Sequence, residues 1–413
     1  MNLFEELKWR GLIKDVSNEE LAKKLLNDEK ITFYCGFDPT ADSLTIGHLV
    51  QIMRLRFLEQ YGHQPIVLIG GGTGLIGDPS GRSSERKLLT LEETLANANK
   101  IKTQFKKYLP NAIYVNNYDW LSKINVIEFL RDYGKHFTVN YMLAKDTVAT
   151  RLEGGISFTE FSYMIIQALD WLHLYKHYNC KLQFGGSEQW GNITAGLELI
   201  RKILGDNTEV LGLSSPLLTK ADGKKFGKSE SGNLWLDENR TSAYALYQYF
   251  INTQDKDVIN YLKMLTLLSK EEIEVLEQKV INEPELREAQ KVLGREIVTF
   301  VHGLEAYENA LRITEILFNG EVSQLTSNEI EDALSDVFVG EISDNINIVV
   351  LLVQTNITSS KREAKELVES NAISVNGNRV NDINYLVTKT NAINHEYTVI
   401  RRGKKKYYLI KHI

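Results

Sequence analysis

Cysteine is nearly absent. The 413 residues hold two, Cys35 and Cys180, too few and too far apart for a disulfide framework or a metal-ligand pair, so both are expected as reduced thiols and no structural metal is expected. Proline is scarce as well, six in all, in keeping with a chain that shows no low-complexity segment and no internal repeat. No apolar run approaches the roughly 18 residues that a membrane-crossing helix needs, and Met1 to Arg10 carries no basic-then-apolar leader pattern. The expectation is a cytoplasmic protein without a membrane partner. No Ser-His-Asp order, His-x-x-x-His pair or close carboxylate dyad is evident, which leaves hydrolase chemistry without support.

What is present is ordinary globular material, 43% hydrophobic and 25% charged, long enough for two or three domains. The net charge of −6 argues against a general nucleic-acid binder, but it is unevenly spread. From Lys361 to Ile413 there are 11 Lys and Arg against 5 Asp and Glu, a local +6 that leaves −12 for the rest. A basic tail on an acidic body implies a small module with an anionic partner.

Along the chain, Leu3 to Leu26 has helical spacing. Ile31 to Cys35 is apolar and β-prone, and runs through a turn rich in Gly, Pro, Asp and Ser into helical spacing at Leu49, Ile52, Met53 and Phe57. Pro65 to Ile69 reads as a buried strand entering Gly70 to Gly77, five glycines in eight residues, where backbone must come close to something. Leu91 to Lys107 reads as a helix, Ala112 to Val115 as a strand, and Asn125 to Phe137 as a helix. Ser157 with Glu160 caps a long, almost wholly apolar helix reaching Tyr178. Strands at Lys181 to Phe184 and Glu209 to Leu213 complete an α/β pattern with a mostly parallel sheet. Beyond Leu236 the pattern is helical through Phe318. Asn319 to Asp344 is polar and poorly periodic. A helix capped by Ser360 and Glu363 follows, and then an Asn376-Gly377 hairpin signal.

Three features carry chemistry. The strand–turn–helix from Tyr34 to His48 is the crevice in which open α/β sheets bind nucleotides, at a strand's carboxyl end facing a helix N-terminus. Tyr163, Gln167 and Asp170 share one face of the buried helix. A polar group buried there costs about 1–3 kcal/mol unless it is satisfied, either by a structural network or by a small ligand with an amine at one end and a hydroxyl at the other. The loop Thr219 to Ser231 holds four lysines, cations that phosphoryl or nucleotidyl transfer needs where negative charge builds up. The Gly72-x-Gly74-x-x-Gly77 run matches a dinucleotide fingerprint by spacing, but Pro79 stands where that fingerprint needs an unbroken helix, and no Gly-Lys-Ser/Thr closes it as a Walker A loop. Asp78, at its end, suits an ammonium group.

Thr45-Ile46-Gly47-His48 resembles the His-Ile-Gly-His signature of class I aminoacyl-tRNA synthetases, and Lys225-Phe226-Gly227-Lys228-Ser229 resembles their Lys-Met-Ser-Lys-Ser signature. Together with Tyr34-Cys35-Gly36-Phe37-Asp38-Pro39-Thr40, Gly77-Asp78-Pro79-Ser80-Gly81, Asn117-Tyr118-Asp119-Trp120 and Gly185-Gly186-Ser187-Glu188-Gln189, in this order, the resemblance is to the bacterial tyrosyl-tRNA synthetases over essentially the whole chain. It implies a Rossmann-like parallel-sheet catalytic domain (1–235), an α-helical tRNA-binding domain (236–320), a linker (321–344) and an S4-like α+β RNA-binding domain (345–413). It implies a homodimer that uses L-tyrosine, ATP with Mg2+, and tyrosine tRNA. By the same resemblance, Tyr34 and Asp170 would bind the phenolic hydroxyl, Asp78, Tyr163 and Gln167 the α-ammonium group, and Gln189 the carboxylate side, with Asn117 and Trp120 shaping the pocket. Cys35, Gly36, Asp38, Gly47, His48 and Glu188 would meet ATP or its ribose. Thr40, Thr45, Arg82, Arg86, Lys225, Lys228 and Ser229 would serve the phosphates.

Three positions depart from the family pattern. Thr45 replaces a histidine, Glu188 an aspartate and Arg82 a lysine. Two other readings stand beside the resemblance: a nicotinamide-dependent oxidoreductase using the glycine run, and a synthetase-like RNA-binding protein of decayed catalysis, toward which Thr45 points.

Overall fold

The computed structural model describes residues 1–81, 88–221, 223, 226–229, 232–343, 345–403 and 406–413, with 228 and 229 described by their backbone alone. Contacts divide the chain into two compact units, one of Met1–Asp237 with Thr253–Leu293 and one of Glu238–Asn252 with Gly294–Ile413.

The first unit is built on six strands: β1 (Asp15–Val16), β2 (Thr32–Phe37), β3 (Gln64–Ile69), β4 (Ile113–Asn116), β5 (Cys180–Gly186) and β6 (Leu211–Ser215), in the order β1-β6-β5-β2-β3-β4. All neighbours are parallel except the short edge strand β1, which runs antiparallel to β6. Strands covered on both faces need side chains that are apolar throughout. Phe33, Ile66, Val67, Leu182, Phe184, Leu211 and Leu213 are accordingly all buried. From β2 the chain moves outward through β3 and β4, then returns to β5 and β6 on the other side. The strand order therefore reverses between β2 and β5, and a crevice opens at their carboxyl ends.

The helix Phe158–Tyr178 starts at Ser157, whose side chain accepts from the Glu160 amide, and ends at Asn179 in the left-handed conformation. Glu160 turns its carboxylate to Arg151 in a buried ion pair of 2.8 Å. The helix packs against Trp190–Leu204 closely enough that a Cβ on Gly196 would come within 2.7 Å of the Trp171 ring, so glycine is required there. This packing fixes the stripe of Tyr163, Gln167 and Asp170 over the crevice.

Two stretches differ from the expectation of plain helix. Leu3–Trp9 is helical but breaks at Gly11, with φ of +72°, before β1. Asn125 to Phe137 forms a short helical turn (Val126–Glu128), a wide π-type turn (Phe129–Tyr133) and a tight 3-10 turn (Gly134–His136). Its Phe129, Tyr133 and Phe137 pack on the core, but Val126, Ile127 and Leu130 are exposed, and the segment is wound as successive turns of different pitch.

In the second unit a five-stranded sheet takes Asn378–Val380, Ile373–Val375, Tyr397–Arg402, Lys406–His412 and Phe338–Ile342 in that order, the last pair parallel. Asn376 and Gly377 both have positive φ, 49° and 88°, as a two-residue type I′ hairpin demands. Residues 321–344, expected as a linker, contribute structure instead. Ser327–Leu334 is a helix with a Thr326–Glu329 capping box, and Phe338–Ile342 is a sheet strand. Buried Ile330 and Leu334 supply an apolar contact that the polar composition hid.

Candidate active site

The crevice between β2 and β5 holds a cavity of about 190 Å³ lined by Tyr34, Cys35, Gly36, Asp38, Thr40, His48, Asp78, Tyr163, Gln167, Asp170, Glu188 and Gln189, among others. Twelve of the sequence-predicted residues thus meet in one place. Gly47 and Glu188 line a second cavity of about 790 Å³ beside it.

At the closed end Asp170, 1% exposed, accepts from Asn117 Nδ2 and Trp120 Nε1, both at 2.9 Å. Asn117 and Trp120 therefore act by aiming this carboxylate. Burial pushes the Asp170 carboxyl up to about 8, although the two hydrogen bonds pull it down. Close by, the Tyr34 hydroxyl is buried with no partner among the described residues, and its ionisation is pushed well up by burial and by the Asp170 charge. A buried hydroxyl without a partner costs about 1–3 kcal/mol. A ligand hydroxyl between Tyr34 and Asp170 would relieve it.

A second network lines the wall. Asp38 accepts from Thr73 Oγ1 (2.6 Å) and Tyr163 Oη (2.9 Å), and Thr73 in turn accepts from Asn117 Nδ2 (2.9 Å). Asp78 follows Gly77, whose φ of +85° turns the chain, and accepts from the Ser80 amide (2.9 Å) and from Gln189 Nε2 (2.5 Å). Asn192 Nδ2 bridges the Gln167 and Gln189 carbonyl oxygens at 3.2 and 3.1 Å. Several carboxylates around one small cavity make a field that favours a cationic group such as an ammonium.

At the mouth, the Thr45 amide donates to His48 Nδ1 at 3.0 Å, and the Thr45 hydroxyl lies at the same distance. Since an amide can only donate, Nδ1 is the acceptor and the ring proton sits on Nε2, the nitrogen left for the cavity. Burial pushes the His48 imidazole down to about 4, so it is a neutral donor near pH 7. Thr45 itself lines neither of these cavities; it works through His48. Cys35 presents a thiol that burial pushes up to about 11, hence a neutral one.

The two signature motifs lie together. The Ile46 amide donates to Leu234 O, and Leu234 N donates to Gly227 O. A Cβ on Gly227 would come within 2.4 Å of Ile46 Cγ2, so only glycine lets the lysine loop rest on the Ile46-Gly47 turn. Arg82, Arg86 and Lys225 lie outside the described residues. Lys228–Ser229 forms a two-residue strand paired with Gly232–Asn233.

Sequence reasoning missed Thr73, Gln183 and Asn192 at this site. Gln183 carries a signal in retrospect, as a buried polar residue in an otherwise apolar strand. Asn192 lies one helical turn past Gln189. The glycine run continues into a tight 3-10 turn, Thr73–Leu75, and a left-handed Gly77. Among the described residues the run leads into no α-helix whose N-terminus could receive a pyrophosphate, which speaks against the dinucleotide reading.

Comparison with known proteins agrees with this geometry. The family model for tRNA synthetases class I (W and Y) matches residues 26–319, and the one for the tyrosine–tRNA ligase SYY-like C-terminal domain matches residues 329–410. The chain is 54% identical to the tyrosine–tRNA ligase of Geobacillus stearothermophilus over 420 aligned positions, covering 100% of both chains. It is 51% identical to tyrosine–tRNA ligase 1 of Bacillus subtilis, covering 99% of both. Among solved structures, a C-terminally truncated mitochondrial tyrosyl-tRNA synthetase of Aspergillus nidulans superposes with a TM-score of 0.70 at 32% identity, covering 77% of this chain and 94% of that one.

Proposed function

The chain belongs to the tyrosine–tRNA ligases of the class I aminoacyl-tRNA synthetases, and from that membership we propose how its residues divide the work. Tyr34 and Asp170 hold the phenolic hydroxyl of L-tyrosine. Asp78, Tyr163 and Gln167 hold its ammonium group, and Gln189 lies on the carboxylate side. The observation that carries this reading is the unpartnered, buried Tyr34 hydroxyl beside the aimed Asp170 carboxylate. Phenylalanine would leave the Tyr34 hydroxyl unpaired and offer Asp170 no hydroxyl; rejection of an analogue that lacks a hydrogen-bonding hydroxyl is a property for which tyrosyl-tRNA synthetases are the standing example.

MgATP enters from the side of Cys35, Gly36, Asp38, Gly47 and His48, with Glu188 toward the ribose. The tyrosine carboxylate attacks the α-phosphorus in line, pyrophosphate leaves, and tyrosyl-adenylate remains bound. Catalysis is positioning and charge stabilisation, with no covalent enzyme intermediate. His48 contributes a neutral N–H. Thr40, Arg82, Arg86, Lys225, Lys228 and Ser229 serve the departing pyrophosphate. The terminal ribose hydroxyl of tRNA then attacks the acyl carbon and releases AMP.

Residues 1–235 are the catalytic domain in this reading. Residues 236–320 and 345–413 hold the tRNA, the protein works as a homodimer, and its place is the cytoplasm. Charging of tyrosine tRNA with labelled tyrosine by the purified chain tests the whole scheme. Charging is expected, whereas tight RNA binding without it would favour a decayed synthetase. Lys361, Arg362 and Lys365 are exposed on the helix Lys361–Glu369, at the start of the basic tail. Replacing all three by alanine is expected to raise the KM for tRNA about tenfold and to flatten its salt dependence, leaving adenylate formation unchanged. An unchanged KM for tRNA would refute a role for this helix.

A further inference from the structure

Arg54 lies outside every motif above. It sits in the helix Leu49–Gln60, is 2% exposed, and its Nη1 donates to the Gly185 carbonyl and to Ser215 Oγ, both at 2.5 Å. One nitrogen therefore ties together the carboxyl ends of β5 and β6. The guanidinium also stands 4.6 Å from the centre of the Phe184 ring. Arginine has five N–H donors; among the described residues no further protein acceptor takes the others, and no carboxylate is within ion-pairing distance. A buried charge without a counter-ion is costly. Arg54 lines the second cavity, and so does Glu188.

Glu188 supplies the opposite charge. Its Oε2 is buried with no partner among the described residues. A Cβ on Gly186 would come within 2.4 Å of both Glu188 carboxylate oxygens, so the carboxylate is seated against this glycine, the neighbour of the residue whose carbonyl Arg54 holds. Burial raises the Glu188 carboxyl; a hydrogen bond from its own backbone N–H and then the Arg54 charge oppose that rise, and Asp78 and Lys14 are the other charged groups acting on it. Arg54 itself faces the Cys35 thiol and Glu188.

We propose that Arg54 is a positioning residue of the nucleotide subsite. Through the Gly185-Gly186 backbone and through its charge, it keeps Glu188 seated as the acceptor for the vicinal hydroxyls of the ATP ribose. The proposal rests on the reading of Glu188 as the ribose ligand. A carboxylate one methylene longer than the family's aspartate has more freedom to swing, which its seat against Gly186 limits.

Tyrosine-dependent ATP–pyrophosphate exchange tests it. Arg54→Met is expected to raise the KM for ATP about tenfold, the scale of one hydrogen bond to a charged group, while the KM for tyrosine stays within about twofold. The loss should shrink with 2′-deoxy-ATP. It should also vanish in the Glu188→Gln background, because Arg54 acts through Glu188. The acid-side rise in the KM for ATP should move to higher pH in Arg54→Met, as Glu188 protonates more readily. Arg54→Lys, which keeps the charge, should recover most of the affinity and serves if the methionine variant does not fold. Additive losses in the double variant, or equal losses for ATP and 2′-deoxy-ATP, would overturn the proposal alone. No exchange by the unaltered protein would overturn the functional reading and the proposal with it.

Discussion

Replacing Asp170 by alanine is expected to raise the KM for L-tyrosine roughly 100-fold while leaving the KM for ATP within about twofold, because leaving buried hydrogen-bonding partners unsatisfied costs about 1–3 kcal/mol. The selectivity follows from position. Asp170 is fixed at the closed end of the cavity by Asn117 and Trp120, away from the nucleotide side at His48 and Gly47. Steady-state exchange with each substrate varied in turn reads the split, and equal losses for both would contradict the assignment.

The same substitution has a pH signature. Burial raises the Asp170 carboxyl from 3.8 to about 8, so the folded state binds this proton more tightly than the unfolded chain. Its stabilising contribution is complete below 3.8 and is lost as pH rises to about 8. The excess of Tm of the unaltered protein over Asp170→Ala should therefore narrow between those two pH values. A gap that widens with pH would show that Asp170 is held ionised.

His48→Ala is expected to lower kcat for adenylate formation about 100-fold, the loss seen when one preorganised donor to developing charge is removed. Its KM for tyrosine should hardly change. Three observations prepare this donor: Nδ1 is tied to the Thr45 amide and hydroxyl, the ring lies 6.3 Å from that of Phe37, and burial keeps the imidazole neutral down to about 4. The pH profile carries the same information. An ordinary histidine would titrate near 6.5, whereas exchange by this protein should show no inflection from His48 there and should lose its contribution only as pH falls toward about 4. Its stability contribution is likewise present above 6.5 and lost on acidification through that window. A KM effect on tyrosine in place of the kcat effect would place His48 in the wrong subsite.

Much of this site is legible in the sequence because its residues obey short-range rules. Tyr163, Gln167 and Asp170 are polar at one helical face of an apolar segment, and the Tyr34–His48 stretch passes from strand to turn to helix in 15 residues. What escapes is what only the sheet order decides. Thr73 and Asn117 are 44 residues apart yet bonded. Arg54 meets Gly185 and Ser215 only because β5 lies beside β2 and β6 beside β5. Thr45 reads from the motif as a group serving the phosphates, but it lines neither cavity and its amide and hydroxyl meet His48 Nδ1. In the fold, the parallel strands are visible as apolar runs. The turns of Val126 to His136 are not, since Phe129 and Tyr133 pack on the core at a spacing that also fits a regular helix, while Val126, Ile127 and Leu130 stay exposed. The helix and strand within 321–344 stay hidden because their few buried side chains pack on distant strands.

Pyrophosphate exchange into ATP, measured with the purified full chain and each amino acid in turn, tests the central claim most directly. Exchange should depend on L-tyrosine and be absent with L-phenylalanine at equal concentration, since only tyrosine satisfies Tyr34 and Asp170 together. Exchange supported equally by phenylalanine, or none with tyrosine, would contradict the account.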